Sequence, residues 1–140
     1  MSESSCIFCQ INRKEAPASI IYEDEQVAAF LSNRPVNEGH TLVVPKKHYV
    51  NIFEISEDEA AYLFRVAKRV AQAVNEAMGI EAIRIVQNNG KDAGQVIFHL
   101  HVHVIPMTPQ NHFRREIDQW TPELLEKVAE KIRAKIAGTR

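Results

Sequence analysis

One seven-residue stretch, His99-Leu100-His101-Val102-His103-Val104-Ile105, constrains this chain more than any other. In an extended strand successive side chains leave on opposite faces, so a strict two-residue alternation reads as β-structure. His99, His101 and His103 then share one face, with Leu100, Val102 and Val104 on the other. The imidazoles follow one another at about 6.8 Å, twice the rise per residue. Half of the chain's six histidines fall within these five positions, which argues against a chance scatter on a polar face.

The rest of the chain supplies partners for that strand. Residues 19–23 and 26–31 flank the polar pair Asp24-Glu25 and predict a hairpin. Residues 40–44 are rich in branched side chains and stop at Pro45, which has no N–H for a ladder. Ser56 followed by Glu59 is a capping box. Ala60, Leu63, Phe64, Ala67, Val70, Ala71, Val74 and Met78 recur behind it at helical spacing up to Gly79, all read as core positions. Residues 82–88 and 96–105 complete five strands, and the second of these ends at Pro106. A last helix begins at Thr121 with Pro122 in its first turn and carries Leu124, Leu125, Val128, Ile132 and Ile136 on one side. Five strands and two main helices in this order predict an α+β fold. No linker or repeat interrupts the chain, so residues 1–140 are read as a single domain.

Composition narrows the function classes. With 17 basic against 18 acidic side chains and a net charge of −1, no bulk field gathers nucleic acid or an anionic membrane. No apolar run approaches the roughly 18 residues of a membrane span, and the first residues resemble no secretory signal, so a cytosolic protein is expected. Cys6 and Cys9 are the only cysteines and stand too close together to close a useful loop.

Three imidazoles on one strand face allow two chemistries. A His-x-His pair can chelate a zinc ion that activates water. Alternatively one imidazole is the nucleophile: with an ordinary pKa near 6.5, about three-quarters of it is neutral at pH 7 and needs no partner base. The turn Asn88-Asn89-Gly90-Lys91-Asp92-Ala93-Gly94-Gln95 favours the second, because its amide hydrogens and the Asn88 side chain would meet phosphate oxygens beside the imidazoles.

Asn88-Asn89-Gly90-x-x-Ala93-Gly94-Gln95-x-x-Phe98-His99-Leu100-His101-Val102-His103-Val104-Ile105-Pro106 resembles the signature of the histidine triad (HIT) superfamily of nucleotidyl hydrolases and transferases. Ile7-Phe8-Cys9-Gln10-Ile11, Val27-Ala28-Ala29-Phe30 and Gly39-His40-Thr41-Leu42-Val43-Val44-Pro45-Lys46-Lys47-His48 extend the likeness over residues 1–107, leaving 108–140 as a C-terminal extension that matches no family feature. The resemblance implies a HIT-like five-stranded antiparallel sheet, a homodimer, and a purine nucleotide substrate attacked at its α-phosphate. His101 would be the nucleophile, His103 would hydrogen-bond the phosphoryl oxygens or leaving group, and His99 would sit at the back. Asn88, Gly94, Gln95 and the Val96 amide would hold phosphate, and His40 would stand near the site as a supporting residue. Val96 replaces the serine or threonine of many members, and Ser32, with Asn33 beside it, stands where an acid often holds the ribose. The implied chemistry needs no metal. Because of these departures, a nucleotide-binding adaptor with little turnover is the alternative.

Cys6-Ile7-Phe8-Cys9 has the spacing of half a tetrahedral zinc site, and nothing strand-like precedes it as in a redox motif. By the same resemblance His48 and His99 complete a closed, structural Cys2His2 zinc site. Lys46 and Lys47 are read as a solvated charged face, and His112 as exposed.

Overall fold

A computed structural model describes residues 5–109 and 120–137. His112 therefore lies outside the described residues. The elements run α1 (Ile7–Asn12), β1 (Ile20–Glu23), β2 (Val27–Leu31), β3 (Thr41–Pro45), α2 (Glu57–Met78), β4 (Ala82–Val86), β5 (Val102–Met107) and α3 (Pro122–Ala137), with a short 3-10 turn at Lys91–Ala93. The five strands form one sheet in the order β1-β2-β3-β5-β4, antiparallel at every pairing. The fold class read from the sequence is the one observed.

The hairpin closes on Asp24, whose Oδ1 accepts the N–H groups of Gln26 (2.8 Å) and Val27 (2.9 Å), an aspartate turn that needs no glycine. The N-cap of α2 also forms: Ser56 Oγ accepts the Glu59 N–H at 3.1 Å and donates to the Glu59 carboxylate at 2.9 Å, and Gly79 ends the helix in the left-handed region at φ 65°. One face of the sheet packs on α2 and α3 through Val27, Ala29, Leu31, Val43, Val102 and Val104 against Leu63, Val66, Val70, Val74, Val128 and Ile132. The opposite face packs on α1 through Ala28, Phe30, Leu42 and Val44 against Cys6, Phe8, Cys9 and Ile11. Coverage on both faces explains why every residue of β2 and β3 is buried.

Three expectations are corrected. A third helix, α1, lies at the N-terminus, capped by Cys6, whose Sγ accepts the Cys9 N–H. Phe64 is 40% exposed: it lies one step round α2 from Leu63, and the inward stripe runs instead through Leu63, Val66, Ala67, Val70, Ala73 and Val74. Leu124 likewise is exposed on α3.

The fourth correction shapes the site. The ladder between β3 and β5 ends at Val43↔Val102, so His103 is on a strand while His99 and His101 precede it. The next pairing would need an N–H from Pro45, which has none, and the Pro45 carbonyl accepts His99 Nε2–H at 2.9 Å instead. The two-residue alternation survives without the ladder, since Leu100, Val102 and Val104 are all fully buried.

Candidate functional site

α1 and the ends of β3 and β5 bring the histidines together. Phe8 stands edge-on to His99 and His101, with ring centroids 5.7 and 5.2 Å away, and forms an apolar wall behind them. His101 and His103 lie 4.8 Å apart, and His103 and His40 5.2 Å apart.

Hydrogen bonds to main-chain atoms fix which nitrogen of each ring carries the proton. His101 Nδ1 lies 2.7 Å from the His99 carbonyl; a carbonyl only accepts, so Nδ1 is protonated and Nε2 holds the lone pair. His40 Nδ1 accepts the Val36 N–H at 3.0 Å, so its proton is on Nε2, which donates to His103 Nδ1 at 3.0 Å. In neutral His103 the remaining proton is then on Nε2. The site thus pairs a nucleophilic nitrogen on His101 with a donor nitrogen on His103.

Burial keeps these rings neutral. It pushes His40 down to about 3, with the neighbouring His103 and His101 adding to the effect, and His103 down to about 4, with His101 adding. It also lowers His101, against the opposing pull of the His99 carbonyl. His40 is only 4% exposed and acts on His103.

The turn before the triad lies in the same region. Asn88 lies over Gly94, where an added Cβ would sit 3.6 Å from Asn88 Nδ2. Gln95 is buried, and its side chain is spent on the backbone: it accepts the Gly90 N–H (2.8 Å) and donates to the carbonyls of Val50 (2.7 Å) and Ile97 (3.1 Å). The Val96 side chain is 81% exposed, and its amide has no hydrogen-bond partner among the described residues. Ser32 is buried with its Oγ accepting the Arg34 N–H at 3.1 Å. Lys46 and Lys47 are not a bare cationic face: they pair with Glu23 (3.0 Å) and Glu59 (3.4 Å).

Behind the triad, Cys6, Cys9, His48 and His99 place four ligand atoms within 4.8 Å of one another. Cys6 Sγ is 3.3 Å and Cys9 Sγ 3.5 Å from His99 Nδ1, and Cys9 Sγ is 3.2 Å from His48 Nδ1. Ligands of a tetrahedral zinc ion, with bonds of about 2.3 Å to sulfur and 2.05 Å to nitrogen, stand about 3.5 Å apart. His99 Nε2 is bound to Pro45, so its Nδ1 offers a lone pair to the ion, and burial pushes that ring down to about 4 despite the Pro45 bond. The donor set is closed, as in structural zinc sites, and the residues fit that role. The sequence anticipated all four ligands. It missed Phe8 as the wall of the site, and the His40–His103 bond, which joins residues 63 apart.

The comparisons with known proteins agree with this geometry. The HIT domain model matches residues 13–110, so Cys6 and Cys9 precede the matched segment. A Zn-bound histidine triad family protein from Mycobacterium smegmatis superposes with a TM-score of 0.86 at 36% identity, covering 98% of this chain and 96% of that one. A histidine triad nucleotide-binding protein from Sulfolobus tokodaii gives 0.84 at 38% identity, covering 95% and 93%. Among curated proteins, adenylylsulfatase HINT3 of Arabidopsis thaliana is 35% identical over 126 residues, 89% of this chain and 60% of that one. The chain belongs to the HIT domain family, with the Cys2His2 site of a structural zinc beside its triad.

Proposed function

We propose that the protein is a nucleotidyl hydrolase or transferase acting at the α-phosphate of a nucleoside phosphoramidate, adenylate or dinucleoside polyphosphate through a nucleotidyl-His101 intermediate. The observation that carries this reading is the bond from His101 Nδ1–H to the His99 carbonyl. It leaves the Nε2 lone pair for phosphorus and stabilises the positive charge the ring acquires when the N–P bond forms. The bond from phosphorus to the leaving group breaks in that step. Water then attacks phosphorus and frees the imidazole, so that over the cycle water supplies hydroxyl to phosphorus and a proton to the leaving group.

His103, its Nδ1 occupied by His40, presents Nε2–H to a phosphoryl oxygen or the leaving atom. The Val96 amide and Asn88 supply further donors, and Gly94 lets the chain come close. Charge developing on the phosphoryl oxygens is where such preorganised donors act, each worth about 3 kcal/mol. Gln95 serves by shaping the turn. Val96 brings no hydroxyl, and Ser32, whose Oγ accepts the Arg34 N–H, offers a neutral hydroxyl in place of a carboxylate, so ribose recognition relies less on this loop. The nucleotide-binding and adenylylsulfatase descriptions of two relatives support a purine nucleotide substrate. The resemblance supports a homodimer, which sedimentation of the pure protein would check.

The test is release of nucleoside monophosphate from adenosine and guanosine phosphoramidates, adenylylsulfate and a dinucleoside polyphosphate, by wild type and His101→Ala. Turnover by wild type alone, with intermediate trapped on His101, is expected. Tight nucleotide binding without product from any substrate would convert the reading to that of a nucleotide-binding adaptor.

A further inference from the structure

The segment that follows His48 is fastened to the catalytic stretch at three points. The Leu100 N–H donates to the Tyr49 carbonyl at 2.7 Å, a bond lying one residue beyond His48 on one side and between His99 and His101 on the other. Gln95 Nε2 donates to the Val50 carbonyl at 2.7 Å. The Ile52 N–H donates to Asn89 Oδ1 at 2.8 Å.

Asn89 and Gln95 continue these bonds into the turn itself. Asn89 Oδ1 also accepts from Gln87 Nε2 at 2.8 Å, and Asn89 Nδ2 donates to Gln87 Oε1 at 2.9 Å. Gln95 Oε1 holds the Gly90 N–H. The turn is closed within itself by bonds from the Ala93 and Gln95 N–H groups to the Gly90 carbonyl and from the Gly94 N–H to the Lys91 carbonyl, with Gly90 and Gly94 at φ of +96° and +94°, where glycine is permissive. Its placement beside the triad is set by the bonds to the segment that follows His48, one of the zinc-site residues.

We propose that Asn89 is a positioning residue that locks the phosphate-side turn to the His48 segment, so that zinc occupancy and phosphate binding are coupled. The coupling rests on the nucleotide reading above for its ligand. With zinc holding His48 and His99, the Tyr49–Leu100 bond is fixed at both ends, and the Ile52–Asn89 bond carries that constraint to the turn. Coupling between two sites is reciprocal, so a nucleotide held by the turn tightens zinc by the same factor that zinc tightens the nucleotide.

The experiment is chelator competition on the zinc-loaded protein, with and without saturating AMP, for wild type, Asn89→Ala and Asn89→Asp. AMP raises the chelator concentration needed to strip wild type by about tenfold, within the usual range of such couplings. The rise is clearly smaller in Asn89→Ala, where the Gln95–Val50 bond still ties the turn to this segment. Asn89→Asp, which keeps the oxygen that accepts the Ile52 N–H, recovers most of the effect. An AMP effect in Asn89→Ala equal to that in wild type overturns the proposal, as does none in a wild type that binds AMP. If AMP binds no form of the protein, the nucleotide reading fails separately, and amide exchange decides the coupling. Loss of protection at both Ile52 and Gly90 when wild type is stripped of zinc supports it; unchanged protection at Gly90 overturns it.

Discussion

The two faces of the sheet are made of different chemistry. Toward α2 and α3 the strands meet chiefly hydrocarbon, Val43, Val102 and Val104 lying among Leu63, Val66, Val70 and Ile132, with polar bonds from Tyr62 to Asp24 and from Arg133 to the Ile20 carbonyl confined to the β1 edge. Toward α1 the same strands stand beside two thiols and five imidazoles, in which each ring nitrogen of His40, His99 and His101 that touches the main chain has an assigned role. The first face stabilises by area, at about 25 cal/mol per Å² of apolar surface, without directional demands. The second holds atoms in register for chemistry. The contrast teaches that stability and reactivity are carried by separable layers around one sheet.

Four changes would break or sharpen that contrast. His101→Ala is expected to lower kcat/KM by more than about 10^4-fold, as loss of a nucleophile does. Its unfolding free energy should fall by about 1–3 kcal/mol, because the buried His99 carbonyl loses its donor; stopped assays and urea titration of the same preparation measure both. Leu63→Ala, fully buried on the hydrocarbon face, should do the reverse, costing about 2–5 kcal/mol while zinc stoichiometry and turnover per folded molecule hold. A parallel fall in zinc retention would show that the layers are not separable.

Acid should act on the polar layer. His40 and His103 are pushed to about 3 and about 4 in the folded protein, below the 6.5 of an unfolded histidine. The unfolded chain therefore takes up protons first. The stability they contribute is complete above pH 6.5 and is lost as pH falls from 6.5 through about 4 to about 3. Urea midpoints between pH 7.5 and 5 should fall, and His40→Asn should flatten the slope. The smallest effect is Ser56→Ala, removing the α2 cap at about 1 kcal/mol, with thermal melting as readout and turnover unchanged.

Legibility in the sequence followed the range of the interactions. α2 could be read because its cap, its period and its terminal glycine are all local, β2 because a polar turn precedes it, and β3 because of its branched run. α1 could not: it is six residues long, has no acid in its first turn, and is capped by a cysteine sulfur rather than by a residue known for capping. The strand predicted over residues 96–105 and ended by Pro106 is observed as Val102–Met107: its start depends on what Pro45 denies it across the sheet, and Pro106 stays in the ladder opposite Ile83. At the site, the triad could be read from alternation and the zinc ligands from resemblance. The His40–His103 bond and the bracing by Asn89 join distant positions, and no local pattern announces them.

Cys6 both caps α1 and faces His99, 93 residues later in the chain. A ribosome adding about 5–20 residues each second takes roughly 5–20 s to cover that distance. The surroundings of α1 are thus completed late: of the imidazole partners of its thiols, His48 emerges 39 residues after Cys9 and His99 only at the end of the interval. A newly made chain passes through a stage in which the metal-binding half-site is open to oxidation or to a competing soft ion, and only arrival of the triad closes it.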